Sequence, residues 1–256
     1  MLGILVQRTE ISHKPRIIYG TMRMLQTRDV AEWEVFFQQL YEFGVRTIHC
    51  SNEYESYPLL CEVMHQLRLS SPAKKFDYMV KVAVPHFDEI TFDRGVLRQR
   101  LQTYRTDLGC DKVADVQWMW RDNKIEDYQR VKKFEETIGQ IGVEVTSLKN
   151  EGLIDRFMCF PYSINFANIA IEKKSIDGLV VYRNTFEKEY DAVLDRSAEL
   201  RKASIVIRPF FAGKAILDSD KSAPELFEVA INHPSVEAAI LSTNSIEHLK
   251  ELRMMI

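Results

Sequence analysis

Eight short apolar runs rich in β-favouring residues recur along this chain, and the segments between them carry helical period. The runs fall at 16–19, 45–49, 78–84, 113–120, 154–160, 178–182, 205–208 and 236–241. Among the intervening segments, Val30, Trp33, Phe37, Leu40 and Phe43 line one side of a helix, with Thr27 as the expected N-cap and Gly44 as the stop. A second stripe runs from Val96 to Leu108 and is closed by Gly109; a third runs from Ile125 to Leu148 and ends at Gly152. Val193, Leu194 and Leu200 mark the segment before the seventh run, and Phe227, Val229 and Ile231 the one before the eighth. Strands that are almost continuously apolar need cover on both faces, which points to a parallel sheet. Eight units at roughly 30-residue spacing predict an α/β chain closed into a (β/α)8 TIM barrel, one domain spanning 1–256. No GxGxxG follows any of the runs, so the open dinucleotide-binding sheet lacks its main signature.

Composition excludes several classes of function. The net charge is −3, and no block of lysine or arginine offers a footprint for nucleic acid. No apolar run approaches the roughly 18 residues of a membrane span. Residues 1–14 lack the basic start, apolar middle and small-residue cleavage site of a secretory signal, so a cytoplasmic location is expected. Cys50, Cys61, Cys110 and Cys159 lie far apart with no CxxC pair, and the six histidines form neither HxH nor HxxxH. No disulfide framework and no metal site are expected. Nothing in the sequence points to an oligomeric state.

In a barrel of this kind the working residues sit on loops at the C-terminal ends of the strands. That rule selects 20–23, 49–54, 81–86, 120–123, 160–162, 182–184, 208–211 and 242–245.

The second of these segments carries a resemblance. From Gly44 the chain reads as a helix end, a buried strand and a polar loop that presents Tyr54. This layout resembles the aldo-keto reductases, in which a strand ends in an aspartate and the catalytic tyrosine follows five residues later; here His49 stands in the aspartate's place. The similarity runs nearly end to end. Tyr19-Gly20-Thr21-Met22-Arg23 resembles the family's opening turn beneath the nicotinamide. Lys81 stands where the family has its catalytic lysine, and Asp115-Val116-Gln117-Trp118 is similar to the fourth strand. Pro209-Phe210-Phe211-Ala212-Gly213 resembles the loop after the seventh strand. Ser242-Thr243-Asn244-Ser245 resembles the grip on the adenosine phosphate.

The resemblance implies NAD(P)H-dependent reduction of a small carbonyl substrate, sugar-like compounds included, with Tyr54 as proton donor and Lys81 lowering its pKa. It implies that NADP or NAD is held by Gly20, Thr21, Met22, Ser242, Thr243, Asn244 and His248. Trp118, Trp120, Phe160 and Arg208 are expected at the substrate pocket. The departures imply an altered site. Counting along the motifs puts Trp120, or alternatively Met119, at the family's histidine. Phe160 and Pro161 replace the two polar side chains that hold the nicotinamide amide, Leu179 replaces a glutamine, and Ile207 replaces a stacking aromatic. The long C-terminal loop of many members is expected to be missing after Ile256.

Each residue also has a plainer reading. Tyr54 can pack on the barrel rim, His49 can be a hydrogen-bonded inner histidine, and one of Trp118 and Trp120 can pack under the helices. Three functions therefore stay open: a slow or specialised reductase, a barrel enzyme that uses Tyr54, Lys81 and His49 for proton transfer without redox chemistry, and a binding or regulatory relative. No arginine stands between Ser242 and His248, which leaves the choice between NADP and NAD open.

Overall fold

The computed structural model describes residues 16–25, 27–122 and 125–253; the segment read above for a secretory signal lies outside them. The elements run β1 (Arg16–Gly20), α1 (Val30–Phe43), β2 (Thr47–Cys50), α2 (Tyr57–Ser70), β3 (Asp77–His86), α3 (Arg94–Leu108), β4 (Val113–Arg121) and α4 (Asp127–Asn150). They continue with β5 (Ile154–Cys159), α5 (Ile164–Ile171), β6 (Gly178–Tyr182), α6 (Asp191–Glu199) and β7 (Ala203–Ile207). The last are α7 (Lys214–Leu217), α8 (Ala223–Ile231), β8 (Val236–Leu241) and α9 (Ile246–Arg253). All eight strands are parallel and hydrogen-bond in chain order, and β8 closes on β1 through Ile18 opposite Ile240. The expected (β/α)8 barrel is the fold. Among the described residues no helix is long and apolar enough to cross a membrane.

The strand period of two sorts side chains between the two layers. Odd positions of β2, β3, β4 and β7 and even positions of β1, β5, β6 and β8 face the axis. They supply a lean inner cluster of Ile18, Met79, Ala83, Met119, Met158, Val180, Ile205 and Ala238. The opposite parity faces the helices, where the space is wider and the side chains are larger. There Trp118 stacks on Phe157 with centroids 5.5 Å apart, lies 5.8 Å from Phe134, and donates its indole N–H to Val84 O at 2.8 Å. Burying side chains of this size contributes roughly 1.5–3 kcal/mol each.

Helix ends follow their local chemistry, with one correction. The N-cap of α1 is Asp29, not Thr27: the Asp29 carboxylate accepts from Glu32 N at 2.8 Å, and the Glu32 carboxylate accepts from Asp29 N at 3.0 Å. This reciprocal box needs an acid three residues after the cap, which Asp29 has and Thr27 lacks. Gly44 ends α1 at φ 109, a conformation costly for any residue with a Cβ. β3 and β4 run one or two residues further than the apolar pattern, to His86 and Arg121. β7 stops at Ile207 because Arg208 turns to φ 57.

Candidate active site

Tyr54 is held by its loop before any ligand is considered. Its N–H donates to Ser51 O at 3.0 Å, and its carbonyl accepts from Tyr57 N at 2.9 Å, where α2 begins. The loop is pinned from below. Ser56 Oγ donates to Thr21 O at 2.7 Å, Thr21 Oγ1 donates to His49 O at 3.2 Å, and buried Tyr104 accepts from Asn52 N at 2.9 Å. The Tyr104 hydroxyl also lies 2.8 Å from Lys81 O, which ties β3 to the same loop. Lys81 Nζ sits 5.5 Å from the centre of the Tyr54 ring.

Lys81 is not free to act on Tyr54 alone. Its ammonium is 3.0 Å from Glu53 Oε2, and Arg121 Nη1 reaches the same oxygen at 2.6 Å. His86 Nε2 meets Glu53 Oε1 at 2.9 Å. Burial pushes the Glu53 carboxyl up, but hydrogen bonds from Arg121 and Lys81 outweigh it and hold the group down at about 2. The ammonium therefore has a carboxylate partner, supplied by the residue before the tyrosine instead of the strand position that His49 occupies. Burial, with the nearby Glu53 charge adding, pushes the Tyr54 phenol well above its ordinary value, and Arg121 opposes this. The expected lowering by Lys81 is not the balance the site strikes, because burial of the phenol outweighs the nearby cations.

His49 faces the axis from β2, with Nε2 2.8 Å from Gln117 Oε1. Its pKa is lowered to about 4: desolvation is the main cause, the Gln117 hydrogen bond opposes it, and the Lys81 charge adds to it. At neutral pH the ring is an uncharged, hydrogen-bonded wall. It has no proton of ordinary acidity to give.

Tyr54, Lys81, Arg121, His49 and Gln117 line one cavity of about 870 Å³. At the barrel mouth it is walled by His49, Tyr54, Lys81, Gln117, Met119, Arg121 and Phe160, then by Tyr162 and Tyr182. It continues beneath 207–213 to Ser242 and Thr243, which precede α9, and to His248 and Glu251 on that helix. Of the expected pocket residues, Phe160 and Arg208 line it. Trp118 and Trp120 do not. Both lie at even positions of β4, are about 1% exposed or less, and pack edge to face with each other on the helix side. Met119 takes the axial place between them. Of the expected cofactor residues, Gly20, Met22, Ser242, Thr243 and His248 line the cavity, whereas Thr21 is fully buried behind it on His49 O. Asn244 also sits off the wall: its carbonyl accepts from Arg28 at 2.7 Å, and its Oδ1 is buried with no hydrogen-bond partner among the described residues.

The cavity wall fits a dinucleotide. A Cβ at Gly20 would lie 2.7 Å from Ser242 Oγ and 3.0 Å from Ile240 Cγ2, so a side chain there would push the Ser242 hydroxyl aside. Ser242, Thr243 and the first N–H groups of α9 suit phosphate oxygens. Phe160 stands edge to face with Tyr162 and Tyr182 at 5.1 and 5.5 Å, an aromatic wall for a flat ring. Phe160 and Ile207 both line the cavity.

No protein-family model matches the sequence, and no curated protein matches it. Solved structures do. A protein from Pseudomonas aeruginosa assigned to the aldo-keto reductases superposes with a TM-score of 0.70 at 19% identity, over 92% of this chain and 86% of that one. An aldo-keto reductase from Bacillus halodurans in its holo form gives 0.68 at 14% identity, over 93% and 85%. One from Klebsiella pneumoniae in complex with NADPH gives 0.68 at 15%, over 94% and 84%. The chain has the aldo-keto reductase fold.

Proposed function

We propose that the protein is an NAD(P)H-dependent oxidoreductase of the aldo-keto reductase type that reduces a small carbonyl compound, with Tyr54 as the proton donor. The observation that carries this reading is the continuity of the cavity, which joins Tyr54 and Lys81 at the mouth to Ser242, Thr243 and His248 at the start of α9. A proton-transfer site alone has no use for that second end; a dinucleotide needs both. The Klebsiella structure of the same fold holds NADPH.

Held by Gly20, Ser242, Thr243 and His248, a dihydronicotinamide would supply hydride to the carbonyl carbon. The chain's own residues handle the oxygen. Tyr54 keeps its proton at neutral pH because burial disfavours the phenolate, so the donor form is the resting form. As negative charge grows on the oxygen and passes to the phenol, Arg121 and Lys81 lie close enough to stabilise it. Glu53 holds those two cations in place. Neutral His49 and Gln117 complete the wall and contribute no proton. Without the family's histidine the substrate oxygen has one donor fewer, and a positioned acid–base group is worth about 10²–10⁴-fold, so turnover is slow or confined to a narrow substrate class.

Calorimetric titration with NADPH and NADH tests the reading directly. Tryptophan quenching is a poor probe, because Trp33, Trp118 and Trp120 are buried and absent from the cavity wall. Micromolar binding together with aldehyde-dependent loss of absorbance at 340 nm is expected. Absence of binding at millimolar cofactor would leave the proton-transfer or non-catalytic reading in its place.

A further inference from the structure

The chain as a whole is acidic, yet the mouth of its cavity is cationic. Arg23, Lys81, Arg121 and Arg208 line the cavity, whereas its acidic lining residue, Glu251, lies at the far end on α9. Beside Tyr54, two cations converge on one carboxylate oxygen, that of Glu53, so the pair keeps a net positive charge. Glu53 stands behind them, off the cavity wall.

Arg121 is arranged to receive a second anion. Its guanidinium lies 4.5 Å from the centre of the Phe87 ring and is tied to Glu53 through Nη1. Its Nε and Nη2 have no hydrogen-bond partner among the described residues. A guanidinium fixed by one carboxylate and one ring face, with donors left over beside a cavity, matches the planar fork that carboxylates fill bidentately. The remaining wall there, Met119, Phe160, Tyr162 and Tyr182, is largely apolar or aromatic. It suits a hydrocarbon body and leaves most sugar hydroxyls without partners. The positive charge at this end of the cleft also attracts an anionic ligand.

We infer that the substrate is an oxo acid with an apolar body, whose carboxylate is taken by Arg121 with Lys81 beside it while its carbonyl faces Tyr54. This rests on the carbonyl-reductase reading above and narrows it to anionic carbonyl compounds.

The test separates the two. The full-length protein is titrated calorimetrically with 4-formylbenzoate, with its methyl ester and with 4-formylphenyl phosphate, at low and high salt. NADPH oxidation is followed in parallel with neutral 4-nitrobenzaldehyde. The carboxylate is expected to bind about tenfold or more tighter than the ester, a charge-assisted hydrogen bond's worth, with the advantage shrinking as salt rises. Arg121→Gln should erase the preference, and Arg121→Lys should keep part of it. If Arg121→Gln does not fold, the ester comparison and salt dependence in the natural chain decide. Reduction of the neutral aldehyde with no preference for the carboxylate overturns the inference and leaves the reductase standing. Carboxylate preference through Arg121 without any NADPH oxidation upholds the anion site and removes the reductase. Tighter binding of the phosphate ester overturns the assignment to an oxo acid.

Discussion

The two ends of the cavity are built on different plans. At the mouth, groups from β2, β3 and β4 are already bonded to one another: Lys81, Arg121 and His86 on Glu53, and His49 on Gln117. At the far end the polar groups belong to one loop and one helix and bond mainly among themselves. Thr243 Oγ1 lies 3.2 Å from His248 Nδ1 and donates to Ser245 O at 3.2 Å, while Asn244 Oδ1 has no partner among the described residues. A network that spans three strands holds its geometry without a ligand, which is what charge development in a transition state requires. A single loop can adjust to whatever it grips. Damage at the mouth should therefore appear in turnover, and damage at the far end in affinity.

The sharpest way to break that contrast is Tyr54→Phe. Removing the hydroxyl should lower kcat about 10²–10⁴-fold and leave the Kd for NADPH within about twofold, as stopped-flow turnover and calorimetry would report. A large change in cofactor affinity would mean that the two ends are one unit. Glu53→Gln comes next. It leaves Lys81 and Arg121 with a neutral partner, so both shift away from each other; displacing a reacting group by about 1 Å costs some 10²-fold, and kcat should fall by about that factor. Glu53→Gln combined with Arg121→Gln should cost much less than the product of the single losses, because the residues act together.

His49 gives the mouth a signature in stability. Its pKa is about 4 in the folded chain against 6.5 for the free side chain. The unfolded state therefore binds more protons between those values, and stability rises with pH through that window. The contribution is complete above about 6.5 and is lost as pH falls toward 4, at about 1.4 kcal/mol per pH unit. Glu53 acts lower, its contribution being complete above 4.5 and lost toward 2. Urea midpoints measured from pH 7 to 4 should fall less steeply for His49→Gln than for the natural chain. Parallel slopes would show that this imidazole is hydrated.

The barrel itself was legible because its signals are local: alternating period, capping residues and short connections leave little freedom of topology. That Tyr54 and Lys81 face one cavity was legible through motif spacing. Glu53 and Arg121 were missed because their pairing joins the β2 loop to the last residue of β4, a contact that no linear spacing records. A signal for Gln117 and Arg121 did exist. Trp118 and Trp120 share a face, so 117, 119 and 121 share the other, and the crowded barrel axis has room for methionine and glutamine but not for two indoles. Counting along the motif left Trp120 or Met119 for the family's histidine position, and strand parity puts Met119 on the cavity wall. The N-cap at Asp29 was missed for a similar reason: the apolar stripe locates the helix, but the acid three residues on decides where it begins.

At the far end Gly20→Ala should raise the NADPH Kd about tenfold while kcat at saturation barely changes, since the new methyl displaces Ser242 Oγ from 2.7 Å. Ser242→Gly in the same chain should restore part of the loss, because it removes the hydroxyl that the methyl strikes.

The smallest effect concerns which nucleotide is preferred. A 2′-phosphate is normally met by an arginine, whereas an acidic residue suits the free ribose hydroxyls. Here the cavity's far end presents His248 and Glu251, and the nearby Arg28 is committed to Asn244 O and to the faces of Trp33 and Phe36. Glu251 is exposed, so its repulsion of a phosphate is screened and worth only a few-fold. NADH should therefore bind at least as tightly as NADPH. Glu251→Gln should improve NADPH about two- to fivefold at low salt, leave NADH nearly unchanged, and lose its effect in 0.5 M salt. A natural chain that prefers NADPH by about a hundredfold would require a cation at this end that the described residues do not supply, and the contrast between a charged mouth and a weakly charged grip would have to be redrawn.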